Sequence, residues 1–251
     1  MSNSNFLRNI PPVTRHLLIV NVALWLVAIV FYNFRHIDLN EMLGLHYFTN
    51  KDFNPAQFFT YMFLHDTSGI AHIFFNMFSL YIFGKILEQV MGSRRFLFYY
   101  LATGVGAALI QSAVIYFQIT SLESQMSAAA INEVMVNGAA IIDQGMNYKD
   151  PFLGELNMLY NGYSVGASGA VFGILLAFGM FFPDAPLYLF FIPVPIKAKY
   201  MVIGYGLLEL IFGVSGTLPG IGHFAHVGGL IVGLIIILIW KKKGTIRGGY
   251  Y

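Results

Sequence analysis

Six apolar segments, each about as long as a membrane-spanning helix, constrain the fold of this chain more than any other feature. They lie at about residues 16–33, 70–87, 96–117, 166–182, 199–218 and 221–240. A helix needs about 20 apolar residues to cross a bilayer, because its backbone hydrogen bonds must be satisfied without water. The pattern therefore predicts an all-α, polytopic membrane protein built as a bundle of six transmembrane helices.

The composition agrees with a membrane location. The chain is 57% hydrophobic and 10% charged, whereas a soluble domain carries about 25% charged residues. It has no cysteine, which excludes disulfides, a thiol nucleophile and any cysteine-ligated metal. The net charge of +2 gives no indication of a nucleic-acid partner, and we expect none. The first apolar segment lacks a small-residue cleavage site, so it is predicted to be an uncleaved span.

The distribution of basic residues predicts which way the bundle faces. With six spans both termini lie on one side, and that side carries 11 of the 14 lysines and arginines. Cytoplasmic loops of membrane proteins are enriched in these residues. We therefore expect both termini to be cytoplasmic, in a multi-pass protein of a cell membrane of the bacterial inner-membrane type.

The spans are predicted to form one domain, residues 16–240, between a cytoplasmic segment at 1–15 and a basic cytoplasmic tail at 241–251. Two long loops, 34–69 and 118–163, then face outward. The first loop is rich in aromatic residues, so part of it is expected to lie in the membrane interface. In the second, a short helix is expected within 124–142, with one face formed by Ile131, Met135 and Ile142.

Polar side chains gather near the starts of the second, fourth and sixth spans. His72 and Asn76 are four residues apart and share one helix face. Ser168 opens the fourth span and His226 opens the sixth. These three spans run in the same direction, so the four side chains should lie at similar depth below the outer surface. Buried ionisable groups in a bilayer are costly and usually functional.

Ser168 has two interpretations on local sequence alone. It is either a small packing residue or a nucleophile made accessible by neighbouring glycines. Gly169 begins a small-xxx-small pair on the fourth span, and Gly229 begins another on the sixth. Such pairs let membrane helices approach closely, which would bring Ser168 within reach of His226.

Taken together, these motifs resemble the rhomboid family of intramembrane serine proteases, which has a six-span core. The matching residues follow the family's order over about residues 14–240: His72-x-x-x-Asn76, Gly84-x-x-x-Glu88-x-x-x-Gly92-Ser93-Arg94, Gly166-Ala167-Ser168-Gly169 and Ala225-His226-Val227-Gly228-Gly229. A GxSG motif alone would be weak evidence, since soluble hydrolases carry a similar elbow after a strand. The combination of motifs is highly specific.

The resemblance implies a reaction and a role for each site residue. Ser168 would be the nucleophile and His226 its general base, because a serine hydroxyl is a poor nucleophile until a base takes its proton. His72 and Asn76 would stabilise the oxyanion, together with the backbone N–H of Ser168 and the turn at Gly166.

The same resemblance extends to the surroundings of the site and to its substrates. Phe172 would pack against His226. The substrates would be transmembrane segments of single-span proteins, cleaved within the lipid bilayer without a metal or cofactor. The additional histidines His65 and His223 are expected to be hydrogen-bonding supports, as most buried polar groups are. The sequence does not indicate an oligomeric state.

Three other functions remain as alternatives. A metalloprotease would use the clustered histidines, but the chain has no HExxH motif and no carboxylate beside these histidines. A histidine-based transporter would more naturally show inverted repeats or charged residues in the middle of its spans, and we find neither. A non-catalytic relative that binds and retains membrane proteins would usually have lost Ser168 or His226, and both are present.

The sequence further predicts a catalytic pair without a third acidic member. Near the outer ends of the second, fourth and sixth spans, the only acidic residue is Asp66. We therefore expect His226 to be oriented by packing against Phe172 and by neutral hydrogen bonds.

Overall fold

The structure, a computed structural model, describes residues 8–188, 194–216 and 222–246. The beginning of the predicted 1–15 segment, the predicted span ends at 217–218 and 221, and the tail from 247 lie outside the described residues. In chain order the helices and strands are α1 Pro12–Arg35, α2 Leu39–Leu43, β1 Leu45–His46, α3 Gln57–Thr60, α4 Ala71–Ser79, α5 Lys85–Met91, α6 Ser93–Glu123, α7 Ala128–Asp143, α8 Pro151–Asn161, β2 Tyr163–Ser164, α9 Ser168–Phe181, β3 Pro186–Leu187, β4 Ile196–Lys197, α10 Ala198–Ser215 and α11 His223–Lys242.

Helices occupy each of the six predicted spans, and the prediction of an all-α, polytopic membrane bundle is confirmed. Among the described residues, α1, α6, α10 and α11 are each long and apolar enough to cross a membrane. The second span consists of α4 and α5, joined by a π-helical turn at Leu80–Gly84. The fourth span, α9, is apolar but has only 14 residues.

The short helix α9 lies between α6 and α11. Its side chains alternate between small and large, and Ala170, Ile174 and Ala177 are fully buried. Small residues allow close helix packing, and Tyr99 of α6 reaches the Gly173 carbonyl with a 2.8 Å hydrogen bond. Protein contacts on two sides therefore fix the position of the residue with which α9 begins.

Buried Glu88 on α5 caps the first helix. Its carboxylate accepts hydrogen bonds from the backbone N–H groups of Val13 at 2.9 Å and Thr14 at 2.7 Å. The hydroxyls of Thr14 and Ser93 also donate to it, at 2.8 and 2.6 Å. The first N–H groups of a helix have no acceptor within the helix, and α1 has no side-chain cap of its own. A residue of the second span thus anchors the first.

The first outer loop holds the segment that leads into α9. Strand β1 pairs antiparallel with β2, placing Leu45 opposite Ser164 and His46 opposite Tyr163. Two residues further on, the backbone N–H of Gly166 donates to the Tyr61 carbonyl at 3.0 Å. The loop therefore sets the path of the chain immediately before Ser168.

The second outer loop contains two helices, where the sequence predicted one. The predicted helix at 124–142 is α7. Of its predicted face, Ile131 packs against the cluster around buried Val134, whereas Met135 is 60% exposed. The second helix, α8, was not predicted. The sequence does contain a typical helix start there, an Asp followed by a Pro. In the structure Asp150 caps α8 by accepting hydrogen bonds from first-turn N–H groups.

Candidate active site

A cavity of about 740 Å³ lies among the N-terminal ends of α4, α9 and α11 and the outer part of α10. Four of the predicted site side chains line it, together with the Gly166 backbone and Phe172: Ser168, His226, His72 and Asn76. Tyr163 also lines the cavity. Burial, together with the nearby Asp38 carboxylate, raises the pKa of its phenol. Three spans that are distant in sequence thus contribute polar groups to one space.

Ser168 and His226 are in direct contact. The Ser168 Oγ lies 2.8 Å from His226 Nε2, a hydrogen-bonding distance. The Phe172 ring stacks on the imidazole with its centroid 4.3 Å away and an angle of 9° between the planes. Ser168 is the first residue of α9, where backbone N–H groups lack helical acceptors. The serine therefore sits beside both a base and a backbone donor.

The turn at Gly166 brings a second histidine close to the serine. Gly166 has a φ of 137°, in a region that side chains rarely allow. A Cβ at this position would lie 2.9 Å from His72 Nε2 and 3.6 Å from Ser168 Oγ. The absence of a side chain is therefore what allows His72 to approach the Ser168 hydroxyl.

One hydrogen bond assigns the protonation of His72. The backbone N–H of Asp66 donates to His72 Nδ1 at 3.2 Å, so the neutral ring carries its proton on Nε2. Nε2 is the nitrogen beside Gly166. His72 therefore presents a neutral N–H donor to the cavity.

Asn76 lines the cavity, but its amide is partly engaged by its own helix. The Nδ2 group donates to the His72 carbonyl at 2.9 Å, which leaves one of its two N–H groups for another acceptor. Its Oδ1 is buried without a hydrogen-bond partner among the described residues. The amide is thus less committed to the cavity than the imidazole of His72.

Glycines set the separation of the helices that carry the serine and the base. A Cβ on Gly229 of α11 would collide with the carbonyl oxygen of Gly169 on α9. One turn further along, a Cβ on Gly233 would meet the Gly173 Cα at 3.3 Å. The backbones of α9 and α11 therefore touch directly, which brings Ser168 and His226 within hydrogen-bonding reach.

Glu209, on the fifth span, is the site residue that the sequence reasoning missed. Its Oε2 lies 2.6 Å from Nδ1 of His223 and 3.0 Å from Nδ1 of His226. Three expectations are therefore wrong: that no carboxylate stands beside these histidines, that no span has a charged residue in its middle, and that His226 has only neutral partners. A carboxylate within an apolar span is costly and usually functional. The position of Glu209 within the fifth apolar segment was therefore the feature of the sequence that could have identified it.

Glu209, His223 and His226 also have the donor types of a metal site, with their ligand atoms within 4.8 Å of one another. A tetrahedral zinc site with bonds of about 2.0–2.1 Å holds its ligand atoms roughly 3.3 Å apart. The Glu209 oxygen instead contacts His223 at 2.6 Å. In this conformation Glu209 therefore bonds to His223 directly, at a distance shorter than two ligands of one zinc ion would keep.

Comparison with known proteins identifies similar chains. The family model described as Rhomboid domain matches residues 53–243. Rhomboid-like protein 11, chloroplastic, of Arabidopsis thaliana is 27% identical over 207 residues, which cover 74% of this chain and 52% of that protein. Rhomboid protease AarA of Providencia stuartii is 24% identical over 188 residues, covering 71% and 53%.

A third similar protein, RHOMBOID-like protein 12, mitochondrial, of Arabidopsis thaliana, is 34% identical over 185 residues, covering 71% of this chain and 44% of that protein. The chain thus spans about half the length of the curated relatives that it matches. These relatives come from bacterial, chloroplast and mitochondrial settings.

Proposed function

The chain belongs to the rhomboid family, and from this premise we propose that it is an intramembrane serine endopeptidase that cleaves transmembrane segments of single-span membrane proteins. The observation that carries the proposal is the 2.8 Å contact between Ser168 Oγ and His226 Nε2, inside a cavity lined by further donors. One relative, from Providencia stuartii, is named as a rhomboid protease. The protease domain would span residues 16–240.

In the first half of the proposed reaction, His226 Nε2 takes the proton of Ser168 as Oγ forms a bond to the substrate carbonyl carbon. The carbonyl oxygen becomes an oxyanion, which His72 Nε2–H, Asn76 and the backbone N–H of Ser168 would stabilise. The C–N bond then breaks, and His226 gives its proton to the leaving amine. The products are a free amine and a Ser168 ester.

Water completes the proposed cycle. His226 takes a proton from the water as its oxygen attacks the ester carbon, and a second oxyanion forms in the same place. The C–O bond to Ser168 then breaks, the carboxylic acid leaves, and His226 returns its proton to Oγ. Every proton removed in one step is thus returned in a later one, and no metal or cofactor takes part.

The buried position of the site restricts its substrates. A stable helix hides its carbonyls in its own hydrogen bonds, and the membrane interior supplies no water to replace them. The cleaved segment must therefore unwind easily, so we expect clients with small residues at the cut and with Gly, Pro or polar residues inside the span.

Purified protein in lipid vesicles, incubated with a panel of single-span substrates, tests the proposal. We expect cleavage and labelling by a serine-directed activity probe, and loss of both in Ser168→Ala and His226→Ala. Leucine in place of the helix breakers of a cleaved substrate should slow its cleavage. A folded wild-type protein that neither cleaves nor is labelled would instead favour a non-catalytic factor that binds and retains membrane proteins.

A further inference from the structure

The fifth span carries a carboxylate that reaches the base of the proposed protease. We infer that Glu209 is a positioning residue: it holds the His226 imidazole so that Nε2 faces Ser168, which extends the catalytic pair to a Ser168–His226–Glu209 relay. This inference rests on the proposed function. It also assigns His223 as the side chain that holds the Glu209 carboxylate in place.

The geometry of the relay uses both nitrogens of one ring. His226 Nε2 lies 2.8 Å from Ser168 Oγ, and His226 Nδ1 lies 3.0 Å from Glu209 Oε2. A carboxylate at Nδ1 favours the tautomer that is protonated there. That tautomer leaves Nε2 unprotonated and able to accept the serine proton, as in soluble serine proteases with an acidic third member.

Stacking of Phe172 on His226 does not by itself select the tautomer of the imidazole. Phe172 lies parallel to the imidazole and fixes the plane of the ring, but an aromatic face contacts both nitrogens alike and does not determine which one carries the proton. Glu209 is on the opposite edge of the imidazole from Ser168. It also places a negative charge beside the imidazolium that forms when the serine proton is transferred.

His223 supports the carboxylate. Its Nδ1 donates to Glu209 Oε2 at 2.6 Å, the shorter of the two contacts. The 3.0 Å contact with His226 is bent, so that Nδ1 of His226 has no hydrogen-bond partner among the described residues in this conformation. Catalytic hydrogen bonds are often poorly aligned in unliganded sites and tighten on binding. We expect this contact to straighten when His226 takes the serine proton.

A purely structural staple between α10 and α11 is the competing explanation. It would need only the Glu209–His223 contact, and His226 would be independent of it. Instead one oxygen contacts both rings, and the side chains of Glu209, His223 and His226 are 16%, 7% and 11% exposed. Other titratable groups lining the cavity are Tyr61, Asp66, His72, Tyr163 and Tyr205. Within the described part of the chain, the carboxylate that forms an ion pair with His226 is that of Glu209.

Kinetics of Glu209→Gln test the role, with Glu155→Gln, an exposed carboxylate on α8, as the matched control. Loss of the third member lowers kcat about 10⁴-fold in a soluble triad. Because the contact here is bent, we expect a fall in kcat of roughly 10–10³-fold, with KM changed less than about threefold. Glu209→Asp should recover part of the loss, and His223→Ala should reproduce part of it. Equal kcat in Glu209→Gln and the control would overturn the inference.

Histidine NMR on isotope-labelled protein supplies a readout that does not depend on turnover. We expect an Nδ1–H resonance from His226, which marks the tautomer protonated at Nδ1, assigned by its loss in His226→Ala and weakened or absent in Glu209→Gln. If wild-type protein cleaves nothing, the proposed function fails, but this resonance still shows whether Glu209 selects the tautomer of His226. If Glu209→Gln does not fold, the wild-type spectrum decides, since a His226 without an Nδ1–H resonance contradicts the relay.

Discussion

At the scale of single residues, Gly166 decides whether His72 and Ser168 share one space. Its φ is 137°, and a Cβ added to it would lie 2.9 Å from His72 Nε2, so there is no room for a side chain. The proposed oxyanion donors would therefore depend on a residue that contributes no side-chain chemistry. This dependence is stronger for His72 than for Asn76, whose amide is partly held by its own helix.

Gly166→Ala should lower turnover by roughly 10²-fold or more, because an oxyanion donor is displaced. The strained backbone should also cost about 1–3 kcal/mol of stability. The matched control is Gly69→Ala, since Gly69 lies in the same outer region with nothing within 4 Å of an added Cβ. Turnover and thermal unfolding in detergent check both effects. Full activity in Gly166→Ala would show that His72 does not need this approach.

Among the elements, the contact between α9 and α11 sets the distance from Ser168, the proposed nucleophile, to His226, the proposed base. Gly229 faces the backbone of Gly169, so an added methyl group has no flexible neighbour to displace. A shift of about 1 Å between reacting groups can cost 10²-fold in rate. If the proposed function holds, the small residues here affect the reaction rate in addition to their packing role.

Gly229→Ala should reduce stability by about 1–3 kcal/mol through overpacking and should abolish most turnover. Gly204→Ala on α10 is the control, because nothing lies within 4 Å of a Cβ there. That control should be neutral or stabilising by about 0.4–1 kcal/mol, since alanine restricts the unfolded chain. Thermal unfolding of the two variants gives the comparison, and equal stability would contradict the backbone contact.

The anchoring of α1 by Glu88 is a second interaction at this scale. Glu88→Gln should destabilise the protein by roughly 2 kcal/mol, because hydrogen bonds to a charged group are worth about 1.5–3 kcal/mol each. Glu88 does not line the candidate active-site cavity, so the folded Glu88→Gln variant should keep its kcat. Thermal unfolding and kinetics measure the two effects, with Glu155→Gln as control. An unchanged unfolding temperature would mean that α1 is held by other contacts.

For the whole molecule, the charge distribution predicts the orientation in the membrane. The side that would carry both termini has 11 of the 14 basic residues, and cytoplasmic loops are enriched in them. Arg94, at the start of α6, would be on this side, whereas Lys149, between α7 and α8, would be on the opposite side. The cavity would then open toward the exterior.

The absence of native cysteine makes the orientation directly measurable. Single cysteines introduced at positions 94 and 149 should react differently with a membrane-impermeant thiol reagent added to intact cells. We expect labelling at 149 and none at 94 until the membrane is permeabilised. Labelling at 94 alone would reverse the predicted topology.

Sequence and structure agree most closely where periodicity or motif spacing carries the information. Apolar length located all six spans, since a bilayer imposes that length on any helix that crosses it. Helical spacing placed His72 and Asn76 on one face. The sequence predicted the helices of the second long loop less completely, since α8 was missed. The position and buried face of a short surface helix depend on tertiary contacts such as those around Val134.

By itself, the sequence determined the class of the protein, the order of its apolar helices, and the motif residues that line one cavity. Only the tertiary structure decided which other side chains join them. Glu209 is 14 residues before His223 and 17 before His226, so no spacing rule within one helix connects them. The packing of α10 against α11 sets that contact, because a span's apolar length fixes where it crosses the membrane but leaves its rotation and neighbours to packing.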